Sequence, residues 1–187
     1  MSRVNRLSTD KVTEEIMKHE VEILRESENV CLSPALVNGI VAAYQIAITK
    51  ALGAGANALS QMLLQELGEL LSEYVEQVVG GVDFTKPEEA ISKVFAELKL
   101  ADEVKVKREG DEWHVEIKGS VFKPTYEILR ERGVKFFTLS PEALIVASII
   151  RKYLRIKGNG NERVSVKAEV PEGDTLVFKV KEVKALR

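Results

Sequence analysis

Several features that often reveal function are scarce in this 187-residue chain, beginning with cysteine. Cys31 is its single cysteine, so no intramolecular disulfide can form and a four-cysteine zinc site is excluded. This scarcity is typical of a reducing compartment, and we expect a cytoplasmic protein. Low cysteine beside many Lys, Glu, Val and Ile residues is also typical of a heat-adapted source.

The chain also lacks a surplus of either charge and a long hydrophobic run. Lys+Arg is 27 and Asp+Glu is 29, and a net charge of -2 predicts no nucleic-acid partner. The most apolar stretch, residues 39–48, is interrupted by Gln45 and is far shorter than the roughly 20 residues of a membrane span. The first residues lack the apolar centre of a signal peptide. We therefore expect neither a membrane span nor a signal peptide.

Catalytic and metal-binding patterns are equally hard to find. His19 and His114 are the two histidines, and a metal site needs three or four convergent ligands. The glycines at 53 and 55 resemble a phosphate loop, but the Gly-Lys-Ser/Thr ending and the preceding strand are missing. We expect no catalytic residues, no metal and no cofactor. These absences favour a protein without catalytic activity and leave an enzyme of unknown type as a third alternative.

Two features have more than one interpretation. Cys31 stands before the helix start at Ser33-Pro34, where it is either a small buried hydrophobic residue or a reactive thiol. A basic cluster runs from Arg151 to Arg163 with Glu162 opposing it. Its cations either complement a helix dipole or bind a phosphate or an acidic partner.

The N-terminal half has helical periodicity. Ser33-Pro34 is a helix-start signal, and apolar residues lie almost all round the segment that follows, which predicts a central helix. Residues 57–79 carry leucines at spacings of three and four, with glutamates on the opposite face. Gly80-Gly81 ends that helix, and Pro87 begins a further one.

The C-terminal half changes to the period of two that is typical of strands. Residues 104–117 and 164–183 each alternate apolar and polar side chains on both sides of a turn, which predicts two hairpins. Helices are expected at 124–132 and after Ser140-Pro141. The predicted fold class is therefore α+β, with long N-terminal helices packed on a four-stranded antiparallel sheet. We predict one domain over residues 1–187: a helical extension (1–32), a helical layer (33–100) and a mainly β part (101–183).

The order of these elements and two residue patterns resemble a known superfamily. The helical pattern is Leu52-Gly53, then Leu63, Leu67-Gly68 and Leu71. The pattern of the last hairpin is Val164-x-Val166, Glu169, Gly173-Asp174 and Phe178-x-Val180. Over residues 34–183 the chain looks like the superfamily of vinyl-reductase-type hydrocarbon-binding domains, haem nitric-oxide-binding sensors and small TRAPP tethering subunits. The resemblance implies an apolar pocket between helices and sheet, and frequent dimerisation. The haem sensors' Tyr-x-Ser-x-Arg motif is not recognisable here, so haem is not expected.

Two functions compete on these grounds. The first is a non-catalytic module that holds a small apolar molecule between helices and sheet. Its candidate pocket residues are Tyr44, Met62, Leu63, Trp113, Phe122 and Tyr126. The second is a structural or tethering subunit that acts through a homodimer or hetero-oligomer interface. Its candidate interface residues, small enough for close helix approach, are Gly53, Gly55, Ala56 and Ala58.

Overall fold

The structure is a computed structural model that describes residues 33–138, 140–158 and 163–183, apart from the side chains at 54, 57, 60, 61 and 64–69. The predicted extension over residues 1–32, with His19 and Cys31, lies outside the described residues. Met1–Ser33 and Pro34–Arg187 form two compact units. The single domain over the whole chain stays a prediction.

Helices in the described part of the chain begin where proline or a polar cap permits. Proline is the first residue of three of them, and Ser140 caps one of these three, the helix that begins at Pro141, by accepting a hydrogen bond from the Ala143 amide at 3.2 Å. A short 3₁₀ turn, Gly53–Gly55, separates the first two helices. The bounds are α1 Pro34–Leu52, α2 Ala56–Val79, α3 Pro87–Glu97, α4 Lys123–Glu131 and α5 Pro141–Ile156.

The four strands among the described residues form one antiparallel sheet, which confirms the α+β class and both predicted hairpins. Its strands are β1 Glu103–Glu109, β2 Glu112–Lys118, β3 Val164–Ala168 and β4 Thr175–Glu182, in the order β1-β2-β4-β3. The two hairpins join through the antiparallel pairing of β2 with β4. A short strand expected at 134–138 is reduced to one bridge between Phe136 and Glu169.

The central strands β2 and β4 supply the inner face of the sheet. Their buried residues stand opposite one another, because period-two alternation and the register coincide. The three facing pairs are Trp113 with Val180, Val115 with Phe178 and Ile117 with Leu176. Buried side chains of α3, α4 and α5 complete the same core. Full burial of each large side chain stabilises the fold by about 1.5–3 kcal/mol.

Helix α1 does not occupy the central place that its apolar sequence predicted. Its three buried residues are Asn38, Ala42 and Gln45, two of which are polar. Large apolar residues of the same helix are exposed, among them Leu36 and Ile40. The expectation of a central α1 is therefore wrong, since an apolar sequence all round a helix does not say which side packs.

Candidate interaction face on helix α1

The exposed side of α1 is a continuous apolar surface. Six uncharged residues on it are exposed, and at 3.6 residues per turn they fall within an arc of about 100°. Tyr44 is 63% exposed and Leu36 55%. We call this surface the α1 face: Leu36, Ile40, Ala43, Tyr44, Ala47 and Ala51. Contiguous exposed apolar surface marks interaction sites, whereas scattered single residues do not.

Asn38 fastens the opposite side of α1 to the rest of the unit. Its Nδ2 donates to the carbonyl oxygens of Pro34 at 2.9 Å and Val121 at 3.1 Å. Its Oδ1 accepts from the Thr125 amide at 3.1 Å and from the Thr125 hydroxyl at 2.7 Å. Thr125 lies in the first turn of α4, so Asn38 supplies from another helix the capping oxygen that α4 does not obtain from its own N-cap, Phe122.

Gln45 makes a second polar attachment two turns further along. Its Oε1 accepts from the Thr138 hydroxyl at 2.9 Å, and its Nε2 donates to Thr49 at 3.0 Å. Ala42, 1% exposed, lies between Asn38 and Gln45 and allows close approach. These attachments fix the rotation of α1 about its axis, because turning it round would leave the Val121 carbonyl and the Thr125 amide without their hydrogen-bond partner. The α1 face is consequently held outward.

The four small residues of the predicted interface lie where α1 passes into α2. Gly53, Gly55 and Ala58 are exposed, and Ala56 is 6% exposed. Gly53 has a φ of +50°, a conformation that favours glycine, and it breaks the helical path there. Their part in an interface stays a prediction.

The six predicted pocket residues are spread over unlike environments. Trp113 and Tyr126 are fully buried, while Tyr44 and Met62 are about as exposed as any apolar residue described, at 63% and 65%. Leu63 and Phe122 are half-buried. The structure therefore does not bring all six to one enclosed site, and their role as ligand contacts stays a prediction.

Two small cavities lie among the described residues, and neither is lined by any of those six residues. One of about 10 Å³ lies between the Phe136–Thr138 segment, the start of α5 and β3. The other, of about 110 Å³, lies between α2 and α5. Pockets for drug-sized ligands are typically about 300–1,000 Å³. Both cavities are thus too small for such an apolar ligand.

The second cavity contains part of the predicted basic cluster. Arg151, Lys152 and Arg155 line it beside Glu73. Lys152 forms an ion pair with Glu76 of α2 and lies 4.3 Å from the centre of the Phe84 ring. At least one cation of the cluster therefore serves the contact between α2 and α5.

Tyr126 belongs to a buried polar group. Its hydroxyl donates to the carboxylate of Glu142, which also accepts from Ser120 at 2.6 Å and Ser140 at 2.9 Å. Burial, together with the neighbouring Glu142 charge, raises the pKa of the Tyr126 phenol above its ordinary 10.0. Glu142 stands at the start of α5, where the helix dipole favours negative charge. This group joins α4, α5 and the loop after β2.

The outer face of the sheet is charged and unlike the α1 face. Lys107 pairs with Glu109 at 2.7 Å, and Lys179 pairs with Glu112 at 3.3 Å. His114 lies on the same face, 3.5 Å from Glu109. No cluster of three metal-ligating side chains occurs among the described residues. Exposed ion pairs of this kind contribute little stability. The described residues of this face form no apolar surface comparable to the α1 face.

Helix α1 is also the one described helix that is long and apolar enough to cross a membrane by length and composition. Only 17% of an apolar 18-residue stretch of this helix is buried. Core helices of soluble proteins can be equally long and apolar, but they are mostly buried, which α1 is not. Its low burial again separates it from an ordinary core helix.

Comparison with known proteins supplies a close relative. The chain is 40% identical to the uncharacterized protein MJ0312 of Methanocaldococcus jannaschii over 162 residues, covering 81% of this chain and 79% of that protein. The chain belongs to the family of that protein. No family model matches the sequence.

A solved structure of a trafficking protein particle complex subunit 3 from Naegleria fowleri, covalently bound to palmitic acid, is similar over most of its length. The identity is 14%, the TM-score is 0.34, and the match covers 95% of this chain and 99% of that chain. A TM-score below 0.5 does not establish a common fold, so the likeness supports no functional conclusion.

The sequence interpretation missed most of the α1 face, although a signal was present. Asn38 and Gln45 are seven residues apart, so they share a side of a helix. Ala42 between them continues that side, while the α1 face follows spacings of three and four on the other. A polar stripe on an otherwise apolar helix marked the packed side here.

Proposed function

We propose that this protein is a structural, tethering subunit that acts by self-association through the α1 face. One observation carries the proposal: α1 turns Asn38 and Gln45 inward and Leu36, Ile40 and Tyr44 outward. Apolar surface exposed to water is unfavourable by about 25 cal/mol per Å², so a partner that covers it gains free energy.

The chemistry of the α1 face favours a second copy of the chain as that partner. None of its six residues is charged, so it offers nothing to a charged surface such as the outer face of the sheet. An identical uncharged face removes apolar area on both sides without burying an unpaired charge. Symmetric dimers are also the commonest soluble oligomers.

The size of the face predicts a reversible association. A helix of 19 residues is about 28 Å long and about 10 Å wide, a footprint of roughly 300 Å². A standard interface buries about 800 Å² on each partner. Unless neighbouring exposed residues such as Met62 contribute, the dimer is in the weak class, which suits a tether that assembles and releases.

Sedimentation velocity tests this function directly. The chain is compared at about 1 and about 100 micromolar with Ile40→Lys, which places two charges in a symmetric interface, and with Val177→Lys. Val177 is 61% exposed on the outer face of the sheet and is the matched control. We expect the chain and Val177→Lys to form dimers, and Ile40→Lys to dissociate at least about a hundredfold more readily.

Other results would contradict the proposal. A folded chain that stays monomeric at the higher concentration excludes self-association. A stoichiometric apolar molecule found by native mass spectrometry, and lost in Ile40→Lys, would instead support the ligand-binding module expected from the sequence. Sedimentation with lipid vesicles, lost in the same variant, would assign the α1 face to a membrane surface.

A further inference from the structure

The cavity between α2 and α5 gathers three cations from one side of a single helix. Arg151 and Arg155 are four residues apart in α5 and lie one above the other, with Lys152 next to Arg151. Arg151 and Lys152 are half-buried, whereas Arg155 is exposed at the end of the helix. Withdrawing a cation from water is unfavourable unless negative charge lies close to it. The cavity therefore favours anionic groups.

Carboxylates of α2 supply part of that negative charge. Glu73 lines the cavity, and Glu76 forms an ion pair with Lys152. Counted with Glu76, the described side chains that line the cavity carry three positive and two negative charges. A guanidinium has five N–H donors in a planar fork, so an arginine that pairs with one carboxylate keeps donors for a second acceptor. An anion within the cavity is thus attracted by a positive surplus and finds donors there.

Two serines extend the polar lining of the cavity. Ser72 of α2 is 7% exposed and Ser148 of α5 is 1% exposed. The Ser148 hydroxyl donates to the Ile145 carbonyl oxygen at 2.7 Å, and a hydroxyl proton rotates to suit the acceptor that is present. These hydroxyls and cations suit an oxyanion better than an apolar molecule, which would leave them without hydrogen bonds.

The volume of the cavity limits the size of the anion. One water molecule needs roughly 10–15 Å³ of such space, so a cavity of about 110 Å³ has room for several waters or for one ion of similar bulk. A tetrahedral oxyanion such as phosphate is of that size. Arg155 and Ile156 line the cavity and are both exposed, so it is accessible from solvent at the end of α5.

We infer that this cavity binds a phosphate group, either as inorganic phosphate or as the end of a phosphate monoester. Arg151 and Arg155 donate to its oxygens, because the guanidinium fork matches two phosphate oxygens at once. Lys152, held by Glu76, adds positive potential. The organic part of an ester lies outside the cavity, beyond Arg155. None of the lining residues belongs to the α1 face, so the inference is independent of self-association.

Isothermal titration calorimetry with inorganic phosphate, at constant ionic strength kept with sodium chloride, tests the inference. We expect one phosphate per chain with a Kd of about 1 mM or tighter. Arg155→Gln removes a guanidinium from the accessible end of the cavity and should weaken binding at least about tenfold. Lys157→Gln is the matched control, because it removes an exposed cation just past the end of α5 that does not line the cavity. Its Kd should stay within about twofold of the wild-type value.

Glu73→Gln gives a change of opposite sign. The Glu73 carboxylate repels a bound phosphate, so its removal should tighten binding by about threefold or more. Thermal unfolding without phosphate checks that each variant is folded. If Arg155→Gln does not fold, Glu73→Gln decides, and a Kd that does not fall in that variant would overturn the inference.

Two further results would overturn it. The first is no saturable change in heat or melting temperature up to about 20 mM phosphate. The second is equal weakening by Arg155→Gln and Lys157→Gln, which would show diffuse attraction to the end of α5. Glycerol 3-phosphate distinguishes the two sources of the phosphate group. Equal affinity for both probes assigns the site to inorganic phosphate, and an ester that binds about tenfold tighter assigns it to a monoester.

Discussion

Helices α1 and α5 begin alike and pack in opposite ways. Each starts at a Ser-Pro pair, and they are 19 and 16 residues long. Eleven residues of α5 are buried, among them Ile149 and Leu154, whereas three of α1 are. The side that α5 turns inward is apolar apart from Glu142 and Ser148, whereas two of the three residues that α1 turns inward are amides. Apolar content alone therefore does not determine which side of a helix is buried.

The difference follows from the charged and amide side chains of each helix, which decide which side can be buried. Arg151, Lys152 and Arg155 cannot be buried unpaired, so they lie on the side of α5 towards Glu73 and Glu76 of α2 and leave its apolar side for the core. Among charged residues α1 has Lys50 alone, near its end, so charge does not orient it. Hydrogen bonds of Asn38 and Gln45 orient it instead, because a buried amide side chain without a hydrogen-bond partner destabilises the fold.

The largest expected effect on the free energy of unfolding comes from replacing one isoleucine by alanine in α5, compared with the same replacement in α1. Ile149→Ala removes a fully buried side chain and should lower the free energy of unfolding by about 2–5 kcal/mol. Ile40→Ala, at a position 46% exposed, should cost less than about 1 kcal/mol when the chain is monomeric. Urea unfolding at low protein concentration measures both. Equal losses of unfolding free energy would mean that Ile40 is packed within the single chain, and α1 and α5 would then not differ in burial.

A smaller effect should follow from loosening α1 at its polar side. Asn38→Ala leaves the Thr125 amide and the Val121 carbonyl without their partner, at a cost of about 1–3 kcal/mol. Hydrogen exchange should quicken in α1 and in the first turn of α4, with little change in α5. Ser92→Ala, which removes an exposed hydroxyl, is the control and should stay within about 0.5 kcal/mol. Uniform quickening in all helices would contradict a local role.

The smallest effect concerns the polar group at the start of α5. The pKa of the Tyr126 phenol is raised in the folded chain, so its contribution to stability is complete below pH 10 and is lost as the pH rises further. Between pH 10 and 11 the wild type should lose about 1 kcal/mol more than Tyr126→Phe. Tyr44→Phe controls for removal of an exposed hydroxyl. Identical slopes for wild type and Tyr126→Phe would show that the phenol ionises as readily folded as unfolded.

Local patterns were enough to predict the elements but not the site. Pro34, Pro87 and Pro141 begin helices as predicted, and alternation in β2 and β4 predicted which of their residues are buried. Such signals succeed because backbone geometry and side-chain periodicity act within a few residues. Trp113 and Tyr126 were predicted as apolar contacts and are buried, but no sequence pattern places Tyr126 beside Glu142, sixteen residues away.

The sequence by itself determined where this chain forms helices and where it forms the two hairpins. It also determined that each hairpin has one apolar side. Both properties follow from the local spacing of residues. The tertiary structure alone decided that β2 pairs with β4 and that α1 faces outward. Asn38 and Thr125 are 87 positions apart in the chain, and Gln45 and Thr138 are 93 apart. Their hydrogen bonds select one rotation of α1, because a buried amide is stable only where distant parts of the chain supply its partners.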